Sequence, residues 1–151
     1  MVSRRAVKLP PKAELERLKL SGEVAWYLLS RGIPFPDCVP PIKTPEAGEI
    51  LADVRFDPAR VDKVVATFTA LQHTKGRWSG KPLRPDPWEV AYVLAPIFGW
   101  VRFDEDAEDL VRVVSEFYVE LPRKNGKSTI CGGFAIYLTC ADDEQGAVDL
   151  D

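Results

Sequence analysis

Pro122-Arg123-Lys124-Asn125-Gly126-Lys127-Ser128-Thr129 stands between two apolar stretches, and its reading decides the fold. Ahead of it, Val113, Val114, Phe117, Tyr118, Val119 and Leu121 make a β-branched and aromatic run, the composition of a strand over 112–121. Behind it, Ile130, Phe134, Ala135, Ile136, Tyr137 and Leu138 continue an apolar pattern suited to a mostly buried helix over 127–140. Strand, polar loop with Gly-Lys-Ser, then helix is the order of a phosphate-binding loop. In that arrangement the loop N–H groups and the positive end of the helix point at a phosphate. Lys127 sets an ammonium beside the β- and γ-phosphates, and the Ser128 hydroxyl ligates Mg²⁺. The regular spacing G-x-x-x-x-G-K-[ST] has glycine where this chain has Leu121. The competing reading is a basic surface turn between strand and helix.

Leu121-Pro-Arg-Lys-Asn-Gly-Lys-Ser-Thr resembles the variant Walker A of the large terminase subunits of tailed double-stranded DNA phages and prophages. Those proteins are the ATP-driven motors that package DNA into procapsids. Their loop also lacks the leading glycine and carries basic residues. Leu71-Gln-His-Thr-Lys-Gly-Arg-Trp-Ser-Gly-Lys-Pro-Leu, Pro87-Trp88-Glu89, Phe98-Gly99-Trp100 and Asp143-Glu144-Gln145-Gly146-Ala147 look like further parts of the same pattern, in order.

The resemblance implies ATP and Mg²⁺ as ligands. Pro122, Arg123, Lys124, Asn125, Gly126, Lys127, Ser128 and Thr129 would hold the phosphates, with Ser128 on the metal and Arg123 and Lys127 as catalytic groups. Trp88 and Glu89 would lie at the adenine end. The family usually carries glutamine at the Glu89 position, and a carboxylate cannot donate to a ring nitrogen. Asp86 and Glu89 also have the spacing of a helix capping box, which is the stronger reading of Glu89. Arg123 and Lys124 have two readings of equal standing: a γ-phosphate contact of the arginine-finger kind, or charge that solubilises an exposed loop. The implied partners are double-stranded DNA, the small terminase subunit and the portal or procapsid. A homo-oligomer in the host bacterial cytoplasm, with no membrane role, completes the expectation.

The fold class expected is α/β: a mainly helical amino-terminal part leading into the first strand, phosphate loop and helix of a P-loop ATPase domain. Residues 1–56 would be a helical and proline-rich segment, and 57–151 the start of the ATPase domain. A helix is expected over 12–31, with Gly22 as a possible break, then an extended linker over 33–45 carrying five prolines. Asp57-Pro58 starts a helix with Val61, Val64, Val65, Phe68 and Leu71 on one face, ended by Gly76 and with His73 in its last turn. Residues 74–86 read as a basic loop. Its Trp78 either plugs a core edge, the favoured reading, or joins Lys75, Arg77, Lys81 and Arg84 in gripping nucleic acid. Residues 104–109 read as a solvated acidic turn.

Several classes of chemistry are excluded. His73 is the only histidine, so no His-based metal site or acid–base pair can be built. Cys38, Cys131 and Cys140 form no C-x-x-C pair and no complete disulfide set, as in a reduced compartment. The net charge of −3 gives no global footprint for nucleic acid. Hydrolysis needs an apolar strand ending in an acidic pair, and the polar tail around Asp149 does not supply one. The chain therefore reads as the amino-terminal piece of a motor, marginally stable or self-associating because its phosphate-loop strand lacks sheet neighbours. A non-catalytic nucleotide- or DNA-binding prophage remnant, and a small P-loop NTPase or kinase of another family, are the alternative readings.

Overall fold

Local signals set the helix ends in the computed structural model, which describes residues 6–41, 44–74, 76–124 and 126–142. The expected first helix is divided into α1 (Lys12–Leu18) and α2 (Gly22–Ser30). Lys19 closes α1 in the left-handed conformation, and Ser21 caps α2 by accepting from the Val24 N–H. The proline-rich stretch that follows forms neither helix nor strand among its described residues. A single turn, α3 (Ala47–Ile50), and a short strand, β1 (Arg55–Phe56), come next.

Helix α4 (Pro58–Ala70) begins as Asp57-Pro58 dictates, with the Asp57 carboxylate accepting the Ala59 N–H at 3.1 Å. It ends earlier than the apolar spacing suggests. Leu71 turns extended, Leu83 N–H donates to its carbonyl at 2.9 Å, and Gln72 pairs with Pro82. Backbone pairing to the returning loop thus replaces the last helical turn, and His73 lies outside the helix.

Pro87 opens α5 (Pro87–Glu89), which runs through a π-helical turn (Val90–Leu94) into α6 (Ala95–Phe98). The wide turn sits where Pro96 has no N–H to donate and its ring would crowd the Tyr92 carbonyl in a regular helix. Strands β2 (Trp100–Asp104) and β3 (Asp109–Arg112) form a hairpin, and β1 adds to β2, giving a three-stranded antiparallel sheet in the order β1-β2-β3. Phe56 faces Trp100 and Val101 faces Arg112. The acidic residues expected in a turn form the hairpin tip, where Asp104 accepts from the Asp106 and Ala107 N–H groups.

The chain is therefore a mixed α and β structure, but the strand expected over 112–121 is not formed. Only Arg112 belongs to a strand, and Val113 N–H donates to the Trp100 carbonyl beyond it. A β-prone run becomes a strand only when a second backbone satisfies its N–H and C=O groups, and residues 114–121 have no such ladder among the described residues. They are held instead by side chains: Val114, Val119 and Leu121 pack on the core, and the Phe117 ring meets Phe134 at 5.2 Å.

One core joins the helices. Tyr27 and Leu28 of α2, Val61, Val64 and Phe68 of α4, and the Val90–Phe98 stretch enclose the buried face of α7 (Lys127–Cys140). That face is Ile130, Gly133, Phe134 and Tyr137. Phe134 meets Phe68 and Phe98 at 5.9 and 5.7 Å, and Tyr137 meets Phe98 at 5.1 Å, edge-on or tilted as aromatic rings prefer. No described helix is long and apolar enough to cross a membrane.

Candidate functional site

The loop that enters α7 turns through left-handed backbone at Lys124 (φ 70°) and again at Gly126 (φ 72°). Gly126 suits that conformation because it has no Cβ, whereas Lys124 adopts it as one of three non-glycine residues to do so among the described residues. Asn125 lies outside the described residues. Gly126 is the N-cap of α7 and its carbonyl accepts the Ile130 N–H at 2.9 Å. No side chain among the described residues caps this terminus. The N–H groups of the first turn, with their share of the helix dipole, therefore face outward.

Lys127, Ser128 and Thr129 occupy that first turn and are exposed, as are Pro122, Arg123 and Lys124 in the loop before it. The opposite face of α7 is clamped in the core through Ile130 and Phe134, so the terminus is fixed in direction while its polar groups stay accessible. Chemically, the arrangement offers backbone donors, the hydroxyls of Ser128 and Thr129, two lysines and an arginine to an oxyanion. No grouping of acidic, histidine or cysteine side chains fit to hold a metal occurs among the described residues. Ser128 is thus the sole expected metal ligand, and it would act only with oxygens brought by a bound phosphate.

Trp88 and Glu89 are not joined to this loop by any described hydrogen bond. Trp88 is half-buried against the core. Glu89 is committed to its own helix: its carboxylate accepts the Asp86 N–H at 2.6 Å and completes a capping box. Burial pushes the Glu89 carboxyl above its ordinary value, and the Asp86 N–H partly offsets this.

Two broad grooves lie elsewhere. One, of about 600 Å³, is lined by Tyr27, Arg31, Asp62 and the outer face of α4; the other, of about 550 Å³, lies against the sheet at Arg55, Arg102 and Phe103. Neither includes a residue of the 122–129 loop. The three cysteines are exposed and unbridged.

Two arrangements were not visible in the pattern of residues, and a third departs from the favoured reading. Arg112 and Asp142 form an ion pair at 2.9 Å that ties the start of the 113–121 segment to the far end of α7. Glu46 accepts from both Ser21 Oγ and Trp100 Nε1 at 2.9 Å, linking α2 to the sheet. Trp78 does not plug a core edge: it stands 48% exposed between Arg77 and Lys81. Spacing carried a signal for the third alone, since Arg77 and Lys81 flank Trp78 in sequence.

No protein-family model matches the chain, and no curated protein or solved structure matches it either.

Proposed function

We propose that residues 122–129 bind the phosphates of a Mg²⁺-nucleoside triphosphate, ATP in the first instance, and that the chain is the amino-terminal part of a phage terminase large subunit. In that reading the protein serves a motor that packages double-stranded viral DNA into procapsids, beside a small terminase subunit and a portal. One observation carries the phosphate site: a 14-residue helix follows left-handed Gly126, has no side-chain cap among the described residues, and exposes Lys127, Ser128 and Thr129 in its first turn. Outward N–H groups at a helix start attract a phosphate, and an adjacent ammonium adds charge. The motor reading rests on the resemblance over about positions 55–147.

Binding, rather than turnover, is the activity proposed for these residues. The test is calorimetric titration with MgATP. Wild-type protein binds, Lys127→Ala loses binding, and Arg123→Ala weakens it modestly. Superimposable titrations for wild type and Lys127→Ala remove the phosphate site from consideration.

A further inference from the structure

We propose that the ordered loop Gly76–Arg84 is a binding surface for the phosphodiester backbone of duplex nucleic acid, with Arg77 and Lys81 as contacts and Trp78 as their scaffold. The inference stands on this loop alone and does not depend on the nucleotide site.

Charge comes first. Residues 72–85 contain four basic residues, Lys75, Arg77, Lys81 and Arg84, and no acidic one, in a chain whose net charge is −3. Lys75 lies outside the described residues, and the other three are exposed. A local field of positive sign on a protein of net negative charge favours a polyanion at this loop.

Order comes second. The loop is pinned at its base by the Gln72–Pro82 bridge and by His73 N–H donating to the Lys81 carbonyl at 3.0 Å. Gly80 N–H returns to the His73 carbonyl at 2.8 Å, and Lys81 N–H to the Trp78 carbonyl at 2.9 Å. Gly76 and Gly80 take φ of +77° and +81°, which lets the chain turn back on both sides of the Gly76–Trp78 turn. The cations are thus presented on fixed backbone, which lowers the ordering cost of a contact.

Trp78 decides the form of the ligand. The Arg77 guanidinium and the Lys81 ammonium sit 5.0 and 4.8 Å from the ring centroid, within cation–π range. A surface that reads single strands keeps aromatic faces open for base stacking. Here the ring already carries cations, so what it offers outward is charge at a set spacing. Phosphates of a duplex, whose bases are stacked inside, match that offer.

The test is fluorescence anisotropy with a labelled mixed-sequence duplex of about 20 base pairs, without nucleotide, over a series of NaCl concentrations. Omitting nucleotide separates failure here from failure at Lys127. Wild-type affinity falls with salt, and Arg77→Ala and Lys81→Ala each reduce the slope of log K against log salt by about 1. Arg77→Glu with Lys81→Glu abolishes binding while the circular dichroism melt stays unchanged. Trp78→Ala keeps the charge and the slope but weakens affinity. Three outcomes overturn the proposal. One is duplex binding by the double glutamate variant equal to wild type at every salt concentration. Another is tighter binding of a single strand that Trp78→Ala abolishes. The third is no duplex binding by wild type.

Discussion

Arg112 and Asp142 lie 30 residues apart in sequence, and the guanidinium Nη1 meets the carboxylate Oδ2 at 2.9 Å. Their side chains are 15% and 5% exposed, so the pair is largely removed from water. Arg112 also donates from Nε to the Val114 carbonyl at 2.9 Å and lies 5.4 Å from the Phe98 ring centroid. One arginine thereby fixes the end of the sheet, the start of the extended segment and the exit of α7. Removing a single partner leaves a buried charge uncompensated, which costs about 3 kcal/mol. Asp142→Ala is expected to lower stability by that order in urea unfolding, and Arg112→Met with Asp142→Leu to recover much of it. A double-variant loss equal to the sum of the Arg112→Met and Asp142→Leu single losses would show that the pair is not coupled.

Adjacent glycines in α7 are expected to respond with opposite signs. A Cβ on Gly133 would come within 2.3 Å of Phe68 Cε1 and Cζ, on a ring already edge-on to Phe134. Gly133→Ala should therefore destabilise by about 1–3 kcal/mol through overpacking. Nothing lies within 4 Å of a Cβ on Gly132, so Gly132→Ala should gain up to about 1 kcal/mol from helix propensity. Denaturant midpoints of the two variants, measured side by side, check both signs.

Glu46 should make stability depend on pH. Burial raises its carboxyl above the ordinary value, against the lowering effect of the Trp100 and Ser21 hydrogen bonds, and nearby Glu49 and Glu23 raise it further. A raised folded-state pKa means that the folded protein binds this proton more tightly than the unfolded chain. The contribution of Glu46 is then fully present below the unfolded value and is lost as pH rises through the folded one. Glu46→Gln should flatten that part of the profile. The comparison is melting temperature against pH for both proteins from mildly acidic to neutral, and parallel curves would refute the linkage.

Glu89 separates a cap from a base contact. With its carboxylate on the Asp86 N–H at 2.6 Å, Glu89→Ala should cost about 1 kcal/mol of stability. The same variant should titrate with MgATP as wild type does. A large loss of nucleotide affinity at unchanged melting temperature would assign Glu89 to the adenine instead.

Legibility followed the range of the interactions. Asp57-Pro58, the Asp86–Glu89 box and Gly126 before Lys127 mark helix starts through bonds made within a few residues, and these stand where the spacing puts them. Gly22 marked the break between α1 and α2 for the same reason. The end of α4 was misjudged because its last turn competes with pairing to residues 82 and 83, about ten residues onward in a loop whose path no local pattern encodes. Trp78 illustrates the same limit: the favoured reading made it a core plug, but the direction that leaves it exposed between Arg77 and Lys81 is set by no local pattern.

By itself the sequence determined the α7 helix and its start directly after Gly126, since backbone conformation and amphipathic spacing are local properties. Only the tertiary structure decided that 113–121, though rich in β-branched and aromatic residues, runs without a strand ladder. It alone also decided that Arg112 closes on Asp142 and that Glu46 joins α2 to Trp100. A strand needs another backbone beside it, and a half-buried carboxylate needs donors from other elements, so both depend on segments that only packing brings together.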